Sequence, residues 1–142
     1  MIALLACSKK KRNFPVAASV LYTGALYTLC KRYCWLKYYD FRILSAKHGL
    51  LDPYEMVEPY NVTLVQMSSR ARRIWAAKVN EQLAALNNDH WIVFASRPYR
   101  EFLELPGQVE IPLEGLGYGQ QVQRMKELVD EQLQLRSSGP RA

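Results

Sequence analysis

The chain has 142 residues, about half of them hydrophobic, with seven Gly and seven Pro; that balance excludes disordered and fibrous classes and fits one domain with its own core. Formal charge is +6 and unevenly spread: residues 1–50 hold nine Lys/Arg against one acid, Asp40, giving +8, and the remainder nets −2. No apolar run approaches the roughly 18 residues needed to cross a bilayer, so no membrane partner is expected, and a basic half suggests phosphate-bearing partners such as nucleotides or nucleic acid, or equally a merely soluble basic surface.

The opening "MIALLACSKKK" places its cations after the apolar run, the reverse of a secretory signal, so Ile2–Ala6 reads as a strand buried on both faces. With three cysteines and no export signal, a reducing cytoplasmic setting is expected. A polar loop, "CSKKKRNFP", follows, closed by Pro15, which suits the first turn of a helix. Val16–Tyr22 and Ala25–Tyr39 read as helical, broken at Gly24. Phe41–Ala46 is a second buried strand, and a long loop from Lys47 to Gln66 follows; loops of that length are usually functional.

Ser68 or Ser69 can cap a long helix whose stripe is Ala71, Trp75, Val79, Leu83 and Leu86, ended by Asn87-Asn88. Trp91–Ala95 is the third strand, Ser96 opens a short helix over Pro98–Leu105, and "QVEIP" is a less apolar strand nearer an edge. A final helix carries Val122, Met125, Val129 and Leu133 on one face. Strands alternating with helices predict an α/β fold, a single three-layer sandwich with a mostly parallel sheet of about four strands and helices on both faces. One domain is expected over residues 1–136, with a flexible tail over 137–142.

In open parallel sheets ligands bind beyond the carboxyl ends of the strands, and every polar cluster of this sequence falls at such an end. Ser8, Lys9 and Lys10, between strand and helix, can hold a phosphate; the Walker pattern and GxGxxG are both absent, which sets aside triphosphate hydrolysis and dinucleotide binding. Lys47 and His48 end the second strand, where an imidazole can move protons. The loop adds Asp52, Glu55 and Glu58, the last held extended by Pro59, with Tyr60 as a stacking platform. A carboxylate beside an aromatic suits cleavage of a nucleoside, where positive charge develops on the sugar; equally, Asp52 can simply form an Asx turn with Pro53. Gly115, Gly117 and Gly119 before a helix free backbone amides for an anion or planar ring, with Gln120 alongside. Arg97, Tyr99 and Arg100 can add phosphate contacts or stacking. Arg70, Arg72 and Arg73 form a solvated or backbone-contacting basic run. Cys30 and Cys34 lack the further ligands of a zinc site, and Cys7 reads as a small buried hydrophobe, so no metal, no cofactor and no thiol nucleophile is expected.

The stretches "LLACSKKK", "ILSAKHGLLDP…EPYNVTL" and "PLEGLGYGQQ" resemble a widespread bacterial and phage domain of uncharacterised function, distantly similar to the YaaA peroxide-stress proteins. The resemblance spans nearly the whole chain. It implies an association with DNA, oxidative damage or nucleic-acid modification, and it marks Ser8, Lys9, Lys47, His48, Gly49, Leu50, Asp52, Glu58, Pro59, Tyr60, Gly115, Gly117 and Gln120 as shared positions.

Two alternative functions are therefore expected of this chain. The first is an enzyme on a nucleotide, nucleoside or nucleic-acid base, cleaving or exchanging an N-glycosidic bond. Lys9 and Lys10 would hold phosphate, Tyr60 or Tyr99 would stack on the base, Glu58 or Asp52 would stabilise the sugar cation or activate water, and His48 would protonate the base. The second is a nucleic-acid-binding module without chemistry; a structural subunit docking an acidic protein is the plainest alternative.

Overall fold

Strand Ile2–Ala6 (β1) is apolar throughout because both its faces are covered. Ala3 and Leu5 enter one core while Ile2 and Leu4 enter the other, as the two-residue period of a strand dictates. The same split recurs in Asp40–Ser45 (β3), which sends Ile43 to one side and Leu44 to the other, and in His90–Phe94 (β6), which divides Ile92 and Phe94 from Trp91 and Val93. This is a computed structural model, and it describes residues 1–137.

β1 pairs in parallel with β3 and β6, and β6 pairs in parallel with Gln108–Glu110 (β7). Gly49–Leu51 (β4) folds back antiparallel on β3, giving a five-stranded, mainly parallel sheet in the order β4-β3-β1-β6-β7. One face is covered by Ala18–Leu21 (α1), Ala25–Leu36 (α2) and Tyr118–Ser137 (α5), through Leu21, Cys30, Cys34 and Met125. The other is covered by Ser69–Ala84 (α3), Arg97–Arg100 (α4) and the 3₁₀ turn Leu64–Gln66, through Val79, Leu83, Tyr99 and Leu64. The α/β sandwich expected from the alternation is what forms.

The expected stripe of α3 does bury Val79 and Leu83, and Ser68 caps it by accepting from the Ala71 N–H at 3.1 Å. Several stretches depart from expectation, among them the short helix expected over Pro98–Leu105, which spans Arg97–Arg100 alone. Residues 16–22 are not one helix: Val16–Ala17 (β2) pairs antiparallel with Met56–Val57 (β5), and only α1 is helical. The Ala18 and Ser19 N–H groups are taken by the carbonyls of Glu55 and Pro53, so distant partners override helical preference. The segment 47–66, expected as one loop, contains β4, β5 and the 3₁₀ turn; each is too short to show a period. α2 ends at Leu36, not Tyr39, because Tyr38 turns left-handed (φ 57°) and the Tyr39 N–H closes onto the Cys34 carbonyl. Of the expected tail, Ser137 belongs to α5, and 138–142 lie outside the described residues.

Candidate functional site

Among the parallel strands β1 is flanked by β3 on one side and β6 on the other, so the chain reverses its direction of sheet growth between β1 and β6. Such a switch point leaves a crevice beyond the carboxyl ends, because the two crossovers leave on opposite faces. Here a cleft of about 690 Å³ opens at that place, lined by Ser8, Lys9 and Lys10 after β1, Ala95 and Ser96 after β6, and Tyr118 and Gln121 from α5. A second chamber of about 350 Å³ adjoins it, lined by Lys11, Asn61 and Gln66; Cys7, Ser8, Lys9, Thr63, Val65 and Tyr99 border both.

The first turn of α2 forms part of the same wall through Gly24, Ala25 and Leu26. Gly24 caps this helix without a side chain, and its own N–H donates to Ser8 Oγ at 3.1 Å while Ser8 Oγ donates to the Lys10 carbonyl at 2.7 Å. A Cβ on Gly24 would stand 2.7 Å from Ser8 Cβ, so glycine permits the close approach of loop and helix. No side chain caps α2 and no acid lies in its first turn, so its amides and partial positive charge stay open to a ligand.

Behind the cleft lies a tyrosine network. Tyr60 Oη is 2.7 Å from both Tyr22 Oη and Ser45 Oγ, and Ser45 Oγ also accepts the His48 N–H at 3.0 Å. The Lys11 ammonium sits 4.5 Å above the Tyr60 ring and donates to the Lys9 carbonyl. Burial pushes the Tyr22 phenol up to about 12 and the Tyr60 and Tyr99 phenols higher still, so all three are neutral at ordinary pH. Burial also lowers the pKa of the Lys11 ammonium, with the charge of Cys7 opposing. The His48 ring packs edge-on to Tyr60 at 5.3 Å; burial and the neighbouring Lys47 and Lys78 lower its pKa, with Glu55 opposing.

The structure thus brings Ser8, Lys9, Lys10 and Tyr99 to one cleft; Tyr60 and His48 line neither chamber, Tyr60 lying under the Lys11 ammonium and His48 packing against Tyr60. Tyr99 is buried, its hydroxyl shared between Cys7 Sγ at 3.6 Å and the Leu64 N–H, so it floors the cleft with no open face for stacking. The others stand elsewhere. Lys47 is exposed on the β3–β4 turn, and Glu58 is exposed and lines neither chamber. Asp52 accepts the Tyr54 N–H at 2.9 Å in an Asx turn and lies 3.9 Å from Arg42, in a different groove. Arg97 is exposed and pairs with Glu101, and Arg100 holds the Ala95 carbonyl. Gly115 makes a turn at φ 80°, the Gly117 N–H is taken by Gln120 Oε1, and Gly119 and Gln120 line a separate shallow depression. What this glycine loop delivers to the cleft is Tyr118 and Gln121. Sequence reasoning passed over these two and Lys11, read Cys7 as a small buried hydrophobe, and took Asn61–Gln66 only as part of a long loop. Cys7 and Lys11 were signalled by following β1; the 3₁₀ turn carried no periodic signal. Among the described residues no three His, Cys, Asp or Glu side chains converge to hold a metal ion, and no helix is long and apolar enough to cross a membrane.

The profile of DUF6884, a family of unknown function, matches residues 2–127, from the first residue of β1 into α5. The chain belongs to DUF6884. The matched span contains every residue lining both chambers, so the cleft lies wholly within the DUF6884 portion. No curated protein matches the chain.

Proposed function

We propose that this DUF6884 chain binds a nucleotide in the switch-point cleft. The observation that carries the reading is one wall of a cleft of about 690 Å³ built from Ser8, Lys9, Lys10 and the uncapped first turn of α2. Amides, a hydroxyl and two ammonium groups together suit a phosphate, and the volume is that of a small-molecule site. Phe94, Val65 and the Tyr118 ring give the remainder an apolar, aromatic character that fits a base. The motif resemblance to YaaA proteins and a cytoplasmic setting, suited to the three free cysteines, belong to the same proposal.

N-glycosidic cleavage is the reaction to assay on the bound nucleotide, with His48 and the loop carboxylates as its expected agents. Among the described residues no carboxylate lines either chamber, so Glu58 would have to reach in from the segment before Tyr60. Recognition is the half that the chamber linings themselves support. Thermal unfolding with each nucleoside monophosphate, the matching nucleoside and inorganic phosphate tests it. A nucleotide at about 100 times its dissociation constant adds roughly 2.7 kcal/mol. The nucleoside should stabilise far less, and the Lys9→Ala/Lys10→Ala double variant should lose about tenfold or more in nucleotide affinity. Chromatography of the same mixtures reads any released base, and Glu58→Gln should abolish that release. If neither nucleotides nor phosphate shift the melting point, the reading fails.

A further inference from the structure

A groove of about 830 Å³ lies beside the amino end of β3, between the C-terminal half of α2 and the Asp52–Tyr54 turn. It shares no lining residue with either chamber of the cleft. Three of its aromatic side chains stand in water: Trp35 is 70% exposed, Tyr38 85% and Tyr54 84%. Cations interleave with them. Lys31 and Arg32 line the groove, and the Arg136 guanidinium lies 5.5 Å from the Trp35 ring and 5.2 Å from that of Tyr38. The two acids of the groove, Asp40 and Asp52, both face Arg42, at 2.6 and 3.9 Å, which leaves the surface net positive.

Tyr38 sharpens the point. It occupies the left-handed position after α2, where glycine is the favoured residue and a bulky aromatic is conformationally costly. Burial does not compensate, since the ring is almost wholly exposed. With the Arg136 guanidinium over one face, a large ring held in that place offers the other to something outside the chain.

We propose that this groove is a platform for single-stranded nucleic acid, with bases stacked on Trp35, Tyr38 and Tyr54 and phosphates paired with Lys31, Arg32 and Arg136. Stacking tolerates any base, because every base has a π face, and interleaved cations follow the backbone. A duplex keeps its base faces covered, and an acidic peptide would engage the cations without using three exposed rings. The single strand is the occupant that uses both features.

The chain carries its own reporter. Trp91 is fully buried and Trp75 is held by the Ser45 carbonyl, so Trp35 is the solvent-exposed indole of the three tryptophans. An oligothymidylate of about twelve nucleotides should quench tryptophan fluorescence, and Trp35→Ala should remove the quenching. By anisotropy of the labelled oligonucleotide, Tyr38→Ala and Tyr54→Ala should each weaken binding by about fivefold or more. Arg32→Ala should reduce the fall in affinity between roughly 50 and 200 mM salt. Tyr38→Gly, which relieves the left-handed backbone, should fold normally and still lose binding, separating loss of contact from loss of structure. The same variants should leave the nucleotide-induced melting shift at the cleft unchanged, which separates failure here from failure there. Absence of binding, binding indifferent to the three aromatic substitutions, or equal affinity for the matching duplex or a polyglutamate peptide would overturn the proposal.

Discussion

Ser45 shows how a single buried hydroxyl can organise a neighbourhood. It is fully buried at the end of β3, and it gathers the Tyr60 phenol, the His48 N–H and, through its carbonyl, the Trp75 indole N–H. That arrangement half-buries the His48 ring against Tyr60 and beside Lys47 and Lys78, and burial first, then the two cations, disfavour the charged imidazolium. The folded pKa is thus below the ordinary 6.5. Well above pH 6.5 neither folded nor unfolded chain protonates the ring, and His48 leaves stability unchanged. Below it the unfolded chain takes the proton first, so stability falls with pH until the lower folded value is passed. His48→Gln should flatten that decline, read as urea midpoints across a pH series. A slope unchanged by the substitution would assign the acid sensitivity to other groups. At this scale Ser8, Lys9 and Lys10 were legible because they directly follow a strand. The Tyr22–Tyr60–Ser45 chain was not, since its members lie 38 and 15 positions apart and share no local pattern.

Elements were legible in proportion to their length. β1, β3, β6 and α3 each present several turns or alternations of one period, whereas β2 and β5 have two residues each and exist only by pairing with one another. The edge strand β7 depends on a comparable local device. Gly107, just before it, has φ 88°, and a Cβ there would stand 1.9 Å from the Asp89 carbonyl oxygen, while the Gln108 N–H donates to that same oxygen at 2.8 Å. Gly107→Ala therefore meets both a steric overlap with backbone and a strained dihedral. It should destabilise the chain by about 3 kcal/mol or more in urea unfolding, well above the roughly 1 kcal/mol of an ordinary surface change. A small loss would mean that the β6–β7 connection relaxes freely.

For the molecule as a whole, the two layers of helices decide which thiols meet solvent. Cys30 and Cys34 point from α2 into the sheet, 2% and 0% exposed, and burial pushes the Cys34 thiol up to about 12 and that of Cys30 higher. Cys7 instead stands half-buried at the crevice between the layers, bordering both chambers. Under native conditions a thiol reagent should modify about one cysteine per chain, Cys7, and a bound nucleotide should slow that reaction. Modification of Cys30 or Cys34 at a similar rate would show that α2 opens readily. Nucleotide that binds without protecting Cys7 would place the ligand outside the switch-point cleft.

Hydrophobic period and the alternation of strands with helices determined, from the sequence alone, a mainly parallel α/β sandwich and the rim on which its polar loops emerge. Those signals are local: a strand buried on both faces must be apolar at every residue, and a helix packed on one side must repeat its apolar residues every three or four. Which loops meet was decided only by the tertiary structure. Strand order is set by long-range pairing, and it put the β1 loop, the first turn of α2 and Tyr118 around one crevice while Asp52, Glu58 and Arg97 took other surfaces. No spacing along the chain encodes that choice, because it depends on which strand lies beside β1.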